Sequence, residues 1–259
     1  MRGILWAEMT REDLKAALGQ DPVVIVPVGA IEQHGPHLPV DTDANGVYEL
    51  AVRAATAQSG VIVAPPIWWG YSHNHRAWPG LITLSSETLI QVVQDICLSI
   101  HQQGFRRIIV LNGHGGNRAP LGVAGNDLAA KHGCRVVLVT IFDLIADTAR
   151  RIRRSRLGGM GHACELETSL QLHLRPHLVG EIPEANYVYE RRKSQFLARD
   201  MFSGGKAVAV ADESAEVGLS GVWGDPTAAT AEEGEQLMDV ATKLLGELIQ
   251  EYRSGNLGL

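Results

Sequence analysis

Charged and imidazole side chains cluster in one short segment, PVGAIEQHGPHLPVDTDANG (27–46). It follows an apolar run and contains Glu32, His34, His37, Asp41 and Asp43. Glu32 and His34 are two positions apart, so in an extended backbone both side chains project to the same side. The prolines of the loop that follows reduce the entropy lost when ligands are held in place. On spacing alone, a metal site and a polar loop held by salt bridges are equally compatible with this segment.

A second segment, NGHGGN (112–117), follows the apolar run IIVL and places His114 among glycines. Glycines permit tight turns and a close approach of a ligand. The same residues could instead form an anion cradle at a helix N-terminus. However, the segment lacks the Lys-Ser/Thr of a P-loop and the spacing of a dinucleotide fingerprint. A histidine ligand beside small residues therefore fits better.

A third segment, GMGHACELETS (159–169), supplies His162, Glu165 and Glu167. If a helix already includes His162, helical spacing places His162 and Glu165 on one face, and Glu167 points elsewhere. If His162 lies before the helix, Glu167 is free to face the site. Spacing alone does not choose between these arrangements. A surface helix with solvated glutamates explains one of the two acids more easily than both.

Two histidines and three carboxylates form a mixed nitrogen and oxygen ligand set, which suits Zn, Mn or Fe. Two divalent cations bring four positive charges, and the carboxylates of Glu32, Asp43 and Glu167 bring three negative ones. The surplus positive charge favours a bound hydroxide. Two cations about 3.5–4 Å apart can lower the pKa of a water between them towards about 7 and polarise a carbonyl. The chemistry predicted is therefore metal-assisted hydrolysis.

These segments need a framework that brings their ends together. Continuous apolar runs predict buried strands at 23–29, 61–66, 106–113 and 134–142. Helical patterns alternate with them at 47–58, 85–104, 117–133, 165–174 and 228–255. This alternation predicts a layered α/β sandwich around a mostly parallel sheet, with ligands at the carboxyl ends of the strands. We find no repeat or linker, and expect a single domain over residues 1–259.

Five motifs together resemble the creatininase (creatinine amidohydrolase) family. They are PVGAIEQHGPHLPVDTDA, WWGYSHNHRAWPGLITL, LNGHGGN, GHACELETSL and GVWGDPTAAT, and they keep their order from about residue 20 to 230. The resemblance implies a three-layer α/β/α sandwich with a centre of two divalent metal ions, Zn or Mn, with Fe as a further possibility. It also implies hydrolysis of non-peptide amide bonds, often in cyclic substrates, and a homo-oligomer, commonly a hexamer.

The resemblance assigns roles residue by residue. Glu32, His34 and Asp43 match the first three metal ligands of the family, Asp43 in the bridging position, and His114 matches the fourth. In creatininase itself this motif resembles NGHYEN, and its glutamate is the fifth metal ligand. This chain has Gly116 in place of that glutamate.

The acidic position that the family keeps in its later motif falls on Glu167, which we therefore expect to be the fifth ligand and a catalytic group. His162 matches the position implied in proton transfer to the leaving nitrogen. Cys164 is expected to be a small spacer, and His37 and Asp41 are expected to bond to the ligands. His75 could orient the substrate or a ligand, or it could lie in a turn and bond to the backbone. The sequence is equally compatible with both.

Creatininase carries tryptophans near its third motif, and RSRLGGMGHACE has none. The tryptophans Trp68, Trp69, Trp78 and Trp223 lie in other motifs, where core packing is expected. Other branches of the family resemble deformylases acting on a pyrimidine precursor and a peptidase that trims a redox-cofactor precursor peptide. Both share the NGHGGN form. A small cyclic amide, imide or formamide is the expected substrate, with the peptidase or a non-catalytic anion binder as alternatives.

Charge and hydropathy limit the classes of molecule that this protein is expected to bind. The net charge of −6 offers no basic surface for nucleic acid or an acidic membrane. No apolar run approaches the length of roughly 20 residues that spans a bilayer. The start MRGILWAEMTRED does not resemble a signal peptide, and three widely spaced cysteines do not suggest a disulfide scaffold. These features predict a cytoplasmic protein that acts on a small molecule.

Overall fold

A four-stranded parallel sheet forms the centre of the molecule. The computed structural model describes residues 3–188, 194–204 and 220–258. The sheet contains β1 (Val23–Val28), β2 (Val61–Val63), β3 (Arg107–Asn112) and β4 (Val136–Thr140) in the order β2-β1-β3-β4. Every neighbouring pair is parallel, so the carboxyl ends of all four strands lie at one edge. The predicted parallel sheet is confirmed.

Seven helices surround this sheet in the described part of the chain. They are α1 (Arg11–Leu18), α2 (Thr42–Thr56), α3 (Ser86–Gln102), α4 (Arg118–His132), α5 (Ile141–Ile152), α6 (Glu165–Leu174) and α7 (Ala231–Ser254). Alternate residues of β1 point to opposite faces. Val23 and Ile25 pack with α2, α5, α6 and α7, whereas Val24 and Val26 pack with α1, α3 and α4. Because both faces are covered, the strand is apolar throughout, and the three-layer α/β/α sandwich is confirmed.

The helix ends follow local chemistry. The Ser85 hydroxyl accepts the N–H of Thr88 at the start of α3. The Thr230 hydroxyl accepts the N–H of Glu233 in the same way at the start of α7. Gly133 ends α4 with φ 62°, in the left-handed region that glycine adopts without steric cost.

Two predicted boundaries are wrong in ways that matter for the site. The helix predicted from residue 47 begins at Thr42, which places Asp43 in its first turn instead of in a loop. The strand predicted to run to residue 142 ends at Thr140, and the unpredicted helix α5 begins at Ile141. Ile141 and Phe142 are buried, so they continue an apolar run across a change of secondary structure.

Among the residues that the structure describes, four short strands lie outside the central sheet. The strand β5 (Met160–His162) pairs antiparallel with β8 (Trp223–Gly224), and β6 (Ala198–Asp200) pairs with β7 (Ser203–Gly204). The cysteines Cys97, Cys134 and Cys164 are buried free thiols. No helix in the described segments is long and apolar enough to cross a membrane.

Candidate metal centre

Six buried side chains meet beyond the carboxyl ends of the strands. The segment after β1 supplies two of them, and the first turn of α2, the loop after β3, the end of β5 and the first turn of α6 supply one each. In that order they are Glu32, His34, Asp43, His114, His162 and Glu167. All six residues predicted for the site therefore come together. The parallel sheet explains the meeting, because its strands deliver their loops to one edge.

Asp43 lies between two imidazoles. Its Oδ1 is 3.2 Å from Nε2 of His34, and its Oδ2 is 2.8 Å from Nδ1 of His114. The Nε2 of His114 is 3.3 Å from Oε2 of Glu32, and the Nε2 of His34 is 4.0 Å from Oε1 of Glu167. Two ligand atoms bound to one zinc ion at about 2.1 Å lie roughly 3.0–3.4 Å apart, depending on the angle between them. The distances from Asp43 to His34 and His114 are close to that range, as expected of ligands that share a cation.

Several of these buried atoms make no well-aligned hydrogen bond in the described structure, although a partner of the cluster lies 2.8–3.3 Å from each. They are Oε2 of Glu32, Nε2 of His34 and Oδ2 of Asp43. Poor alignment leaves uncompensated part of the cost of burying a polar atom, which is about 1–3 kcal/mol for an atom without a partner. Three combinations of side chains have their ligand atoms within 4.8 Å of one another: Glu32 with Asp43 and His114, His34 with His162 and Glu167, and Glu32 with His75 and His162. The residues present fit a metal centre.

Backbone carbonyl groups fix which imidazole nitrogen is available. Nδ1 of His34 is 3.3 Å from the carbonyl oxygen of Glu32, and Nε2 of His114 is 3.1 Å from that of Tyr71. A carbonyl oxygen only accepts, so these nitrogens carry the hydrogen. Nε2 of His34 and Nδ1 of His114 are left to face Asp43. Such bonds orient histidine ligands in metal sites.

The pKa shifts in the cluster indicate that its buried carboxylates need positive charge beside them. Burial disfavours the charged form of both imidazoles, yet Asp43, with smaller contributions from Glu167 and Glu32, raises the pKa of His34 to about 10. Glu32 and Asp43 together raise the pKa of His114 to about 9. Burial raises the pKa of Glu167 to about 7. Without cations, protons balance the carboxylates, and metal binding would displace those protons.

The turn before α6 decides which glutamate faces the centre. His162 ends β5 and α6 begins only at Glu165, so His162 lies outside the helix. Ala163 adopts φ 48°, an uncommon left-handed conformation for a residue with a side chain, and its N–H is donated to Oε2 of Glu167. Glu165 instead points away and accepts the backbone N–H groups of Arg154 and Ser155. The second of the two arrangements left open by spacing is the one observed.

The backbone at Gly116 leaves no room for a glutamate, the residue of the NGHYEN form at this position. A Cβ atom on Gly116 would lie 2.4 Å from the carbonyl oxygen of Tyr71 and 2.6 Å from Nε2 of His114. Both distances are far shorter than van der Waals contact. The carboxylate of Glu167 lies in the cluster instead.

Gln33 is a site residue that sequence reasoning missed. Its Nε2 is 3.0 Å from Nδ1 of His75, 3.0 Å from Nε2 of His162 and 3.0 Å from the carbonyl oxygen of Gly221. Nε2 of His75 in turn lies 3.3 Å from Oε1 of Glu32. His75 therefore belongs to the cluster. The signal available in the sequence was the position of Gln33 between two candidate ligands.

His37 and Asp41 do not bond to the ligand side chains, contrary to expectation. Nε2 of His37 bonds to the hydroxyl of Thr168, and Asp41 forms a two-fold ion pair with Arg175 at 2.8 and 2.9 Å. Arg175 also donates to Gln171. The ion pair joins the start of α2 to the end of α6, and the bond of His37 joins the loop before α2 to the beginning of α6, so both support the site from outside.

A cavity of about 360 Å³ opens onto the cluster. Glu32, Asp43, His114 and Glu167 form its buried floor. Trp223 lines it, with its ring 5.7 Å from that of His162, and Trp69 is 46% exposed. Core packing was the wrong expectation for these two tryptophans. A cavity of this size accommodates a small molecule.

The fold and the cluster define a metal-site hydrolase of the creatininase type. The profile of the creatininase family, described as creatinine amidohydrolase, matches residues 7–249. The chain therefore belongs to the creatininase family.

Relatives with several activities match over most of the chain. A mycofactocin precursor peptide peptidase of Mycolicibacterium smegmatis is 31% identical, over 92% of this chain and 88% of its own. A 3-dehydro-scyllo-inosose hydrolase of Thermotoga maritima is 28% identical, over 98% and 86%. A creatinine amidohydrolase of Pseudomonas putida is 27% identical, over 96% and 97%.

Solved structures agree with this assignment. A mutant creatininase of the Zn-Zn type superposes with a TM-score of 0.79 at 26% identity, covering 97% of this chain and 99% of its own. A manganese creatininase gives 0.77 at 25% identity, with the same coverage.

Proposed function

We propose that this chain is a metal-dependent amidohydrolase with two divalent cations, zinc or manganese, held by Glu32, His34, Asp43, His114 and Glu167. One observation supports this proposal above the others. Ligand atoms of Glu32, His34 and Asp43 are buried side by side, and none of the three makes a well-aligned hydrogen bond within the described chain. Folding concentrates these polar atoms at a cost that a bound cation would offset.

Divalent cations bound there would polarise the carbonyl of the substrate and make a water nucleophilic near neutral pH. His162 acts in proton transfer. Its Nε2 is 2.7 Å from the carbonyl oxygen of Gln33, so Nε2 carries hydrogen and Nδ1 has a free lone pair. Burial, followed by the charge of His34, lowers the pKa of His162 well below its ordinary value. A neutral imidazole at this position can take a proton and pass it to the leaving nitrogen.

Glu167 has two roles in this proposal, as a ligand and as a second proton carrier. Its Oε2 is held by the N–H of Ala163, which leaves Oε1 towards His34. The substrate we propose is a small non-peptide amide, such as a lactam, an imide or a formamide. A second candidate is a peptidase of a redox-cofactor precursor peptide, which the 31% identical relative from M. smegmatis favours.

Metal content and turnover test this proposal together. We expect elemental analysis to find two Zn or Mn per chain, and a chelator to abolish hydrolysis of a panel of lactams, imides, formamides and short peptides. Added metal should restore it. Asp43→Ala should lose both metal and turnover, whereas Asp127→Ala, which alters a surface ion pair with Lys131, should lose neither. Turnover by the stripped protein would contradict the proposal. Phosphate binding without metal would favour the anion-binding alternative.

The family resemblance also leads us to propose a homo-oligomer, a hexamer in the simplest case. Light scattering on the purified protein measures this directly. A monomer at micromolar concentration would contradict this part of the proposal and leave the chemistry of the centre unaffected.

A further inference from the structure

The rim of the cavity differs in chemistry from its floor. The floor is formed by buried carboxylates and imidazoles, whereas Arg118, in the first turn of α4, lines the cavity with a side chain that is 47% exposed. Among the described residues that line the cavity, Arg118 is the one with a permanent positive charge. Phe142, Met201 and Trp223 also line it and offer mainly apolar surface.

Asp143 holds the guanidinium of Arg118 without using all of its donors. Nη1 and Nη2 of Arg118 each donate to one oxygen of Asp143 at 2.8 Å. A guanidinium has five N–H groups, so Nε–H and one N–H on each Nη have no partner in the described part of the structure. The ion pair occupies the end of the guanidinium and leaves its side edge open to a second planar acceptor.

Stability does not explain this ion pair well. The side chain of Asp143 is 64% exposed. Exposed ion pairs contribute about 0–1 kcal/mol. What the pair does achieve is to fix the plane of the guanidinium at the wall of the cavity, since both terminal nitrogens are bonded to one carboxylate. A fixed guanidinium loses less conformational entropy when it binds an anion.

We propose that the substrate carries a carboxylate in addition to the amide bond that is broken, and that this carboxylate binds the free side edge of Arg118. This inference rests on the proposed function, because it names the substrate class of the same site. The substrate is then a small amido acid. Its amide carbonyl lies over the metal floor, its middle contacts the apolar wall, and its carboxylate accepts from Nε–H and one Nη–H.

A matched pair of probes tests this inference. Levulinate and its neutral alcohol analogue, 5-hydroxypentan-2-one, carry a ketone in place of the amide and cannot be hydrolysed. We would titrate each into the manganese-loaded protein and follow binding by ligand-observed NMR. The carboxylate probe should bind at least about tenfold more tightly than the alcohol, as expected for a charge-assisted pair of hydrogen bonds.

Variants identify the group responsible. Arg118→Gln should remove most of the preference for the carboxylate and leave the affinity for the alcohol unchanged. Arg118→Lys should keep part of it, since an ammonium retains the charge without the planar fork. Arg11→Gln, which alters an exposed arginine paired with Glu12 and absent from the cavity lining, should behave as the wild type. Equal binding of both probes, binding of neither, or a preference that survives Arg118→Gln would overturn the inference.

The inference and the proposed function fail separately. If a neutral lactam is hydrolysed as well as its carboxylated counterpart while both metals are present, the inference is wrong and the amidohydrolase proposal stands. If the carboxylate preference depends on Arg118 but no amide is hydrolysed, the amidohydrolase proposal is wrong and the binding site for a carboxylate remains.

Discussion

The backbone carbonyl oxygen of Gln33 lies 2.7 Å from Nε2 of His162. This contact makes Nε2 of His162 a donor and leaves Nδ1 as the basic nitrogen. The side-chain amide of Gln33 has two N–H groups, and they are donated at 3.0 Å to Nδ1 of His75 and to the carbonyl oxygen of Gly221. Its nitrogen also lies 3.0 Å from Nε2 of His162, which is a contact between two donors and not a hydrogen bond. One residue therefore sets the tautomers of two histidines, and the hydrogen on Nε2 of His75 faces Glu32.

Changing Gln33 should alter the reaction while leaving the metal in place. Gln33→Glu puts a negative charge about 3.0 Å from His75 and His162, in place of an amide nitrogen. The charge favours the imidazolium, so the pH at which activity rises should move upwards. We expect kcat to fall about 10- to 100-fold with a small change in KM.

A pH–rate profile together with metal analysis measures this effect. Gln33→Ala should reduce kcat without moving the profile, since it introduces no charge. Gln94→Glu, a change at a half-buried glutamine that bonds to Asp127 and does not line the cavity, serves as the control. An unchanged profile for Gln33→Glu would show that the amide does not govern the histidines.

Metal binding should stabilise the folded chain. Glu32, Asp43 and Glu167 are buried together, and cations that bind only the folded state add about 2.7 kcal/mol at a hundred times Kd. For a chain of this size, that raises Tm by roughly 5–10 °C. Thermal unfolding with and without manganese, after chelation, measures the difference. Asp43→Ala should unfold at the same temperature in both conditions, and a full metal effect in that variant would contradict the ligand assignment.

Two adjacent glycines should respond differently to the same substitution. Gly116→Ala places a Cβ against Tyr71 and His114, so we expect a loss of about 1–3 kcal/mol in the free energy of unfolding and a lower metal content. A Cβ on Gly115 meets nothing within 4 Å, so Gly115→Ala is the matched control and should be close to neutral. Urea unfolding and metal analysis distinguish the two. Equal effects would show that contact at position 116 is not the constraint.

Glu233 should give the stability a pH dependence of its own. Burial, followed by the nearby carboxylate of Glu165, raises the pKa of Glu233 to about 8. The folded state thus keeps a proton that the unfolded state releases above about pH 4.5. The stabilisation is complete below that pH and is lost as the pH rises through about 8.

Glu233→Gln should remove this dependence. The variant keeps the shape of the side chain without an ionisable group, so its Tm should exceed that of the wild type by about 2–4 °C at pH 8.5, if about 1 kcal/mol is recovered. The advantage should shrink as the pH falls and disappear below about pH 4.5. Glu232→Gln changes an exposed neighbour on the same helix and controls for the charge. A constant Tm difference across the range would refute the assignment.

Residue type and strand order were enough to predict that these side chains meet at one edge of the sheet, because the apolar runs before Glu32 and His114 are parallel strands whose ends lie together. The sequence was insufficient wherever an orientation depended on a turn. Whether Glu165 or Glu167 faces the cluster depends on the left-handed conformation of Ala163, which the spacing of residues in the sequence does not predict. The helix α5 was missed because its apolar residues continue those of β4 without a break. Gln33 was missed because its importance comes from partners far away in the chain.

The floor of the cavity is buried, whereas part of its wall is exposed, and this difference decides which residues can change within the family. The floor is built into the ends of elements whose other residues form the core, so a change there affects folding as well as chemistry. The wall around Arg118 and Asp143 is exposed, and residues there can be exchanged with little loss of stability. Substitutions in the wall can therefore change which molecules the cavity accepts while the candidate metal site on its floor stays intact. Relatives named as a peptide peptidase, an inosose hydrolase and a creatinine amidohydrolase are consistent with such a division of labour.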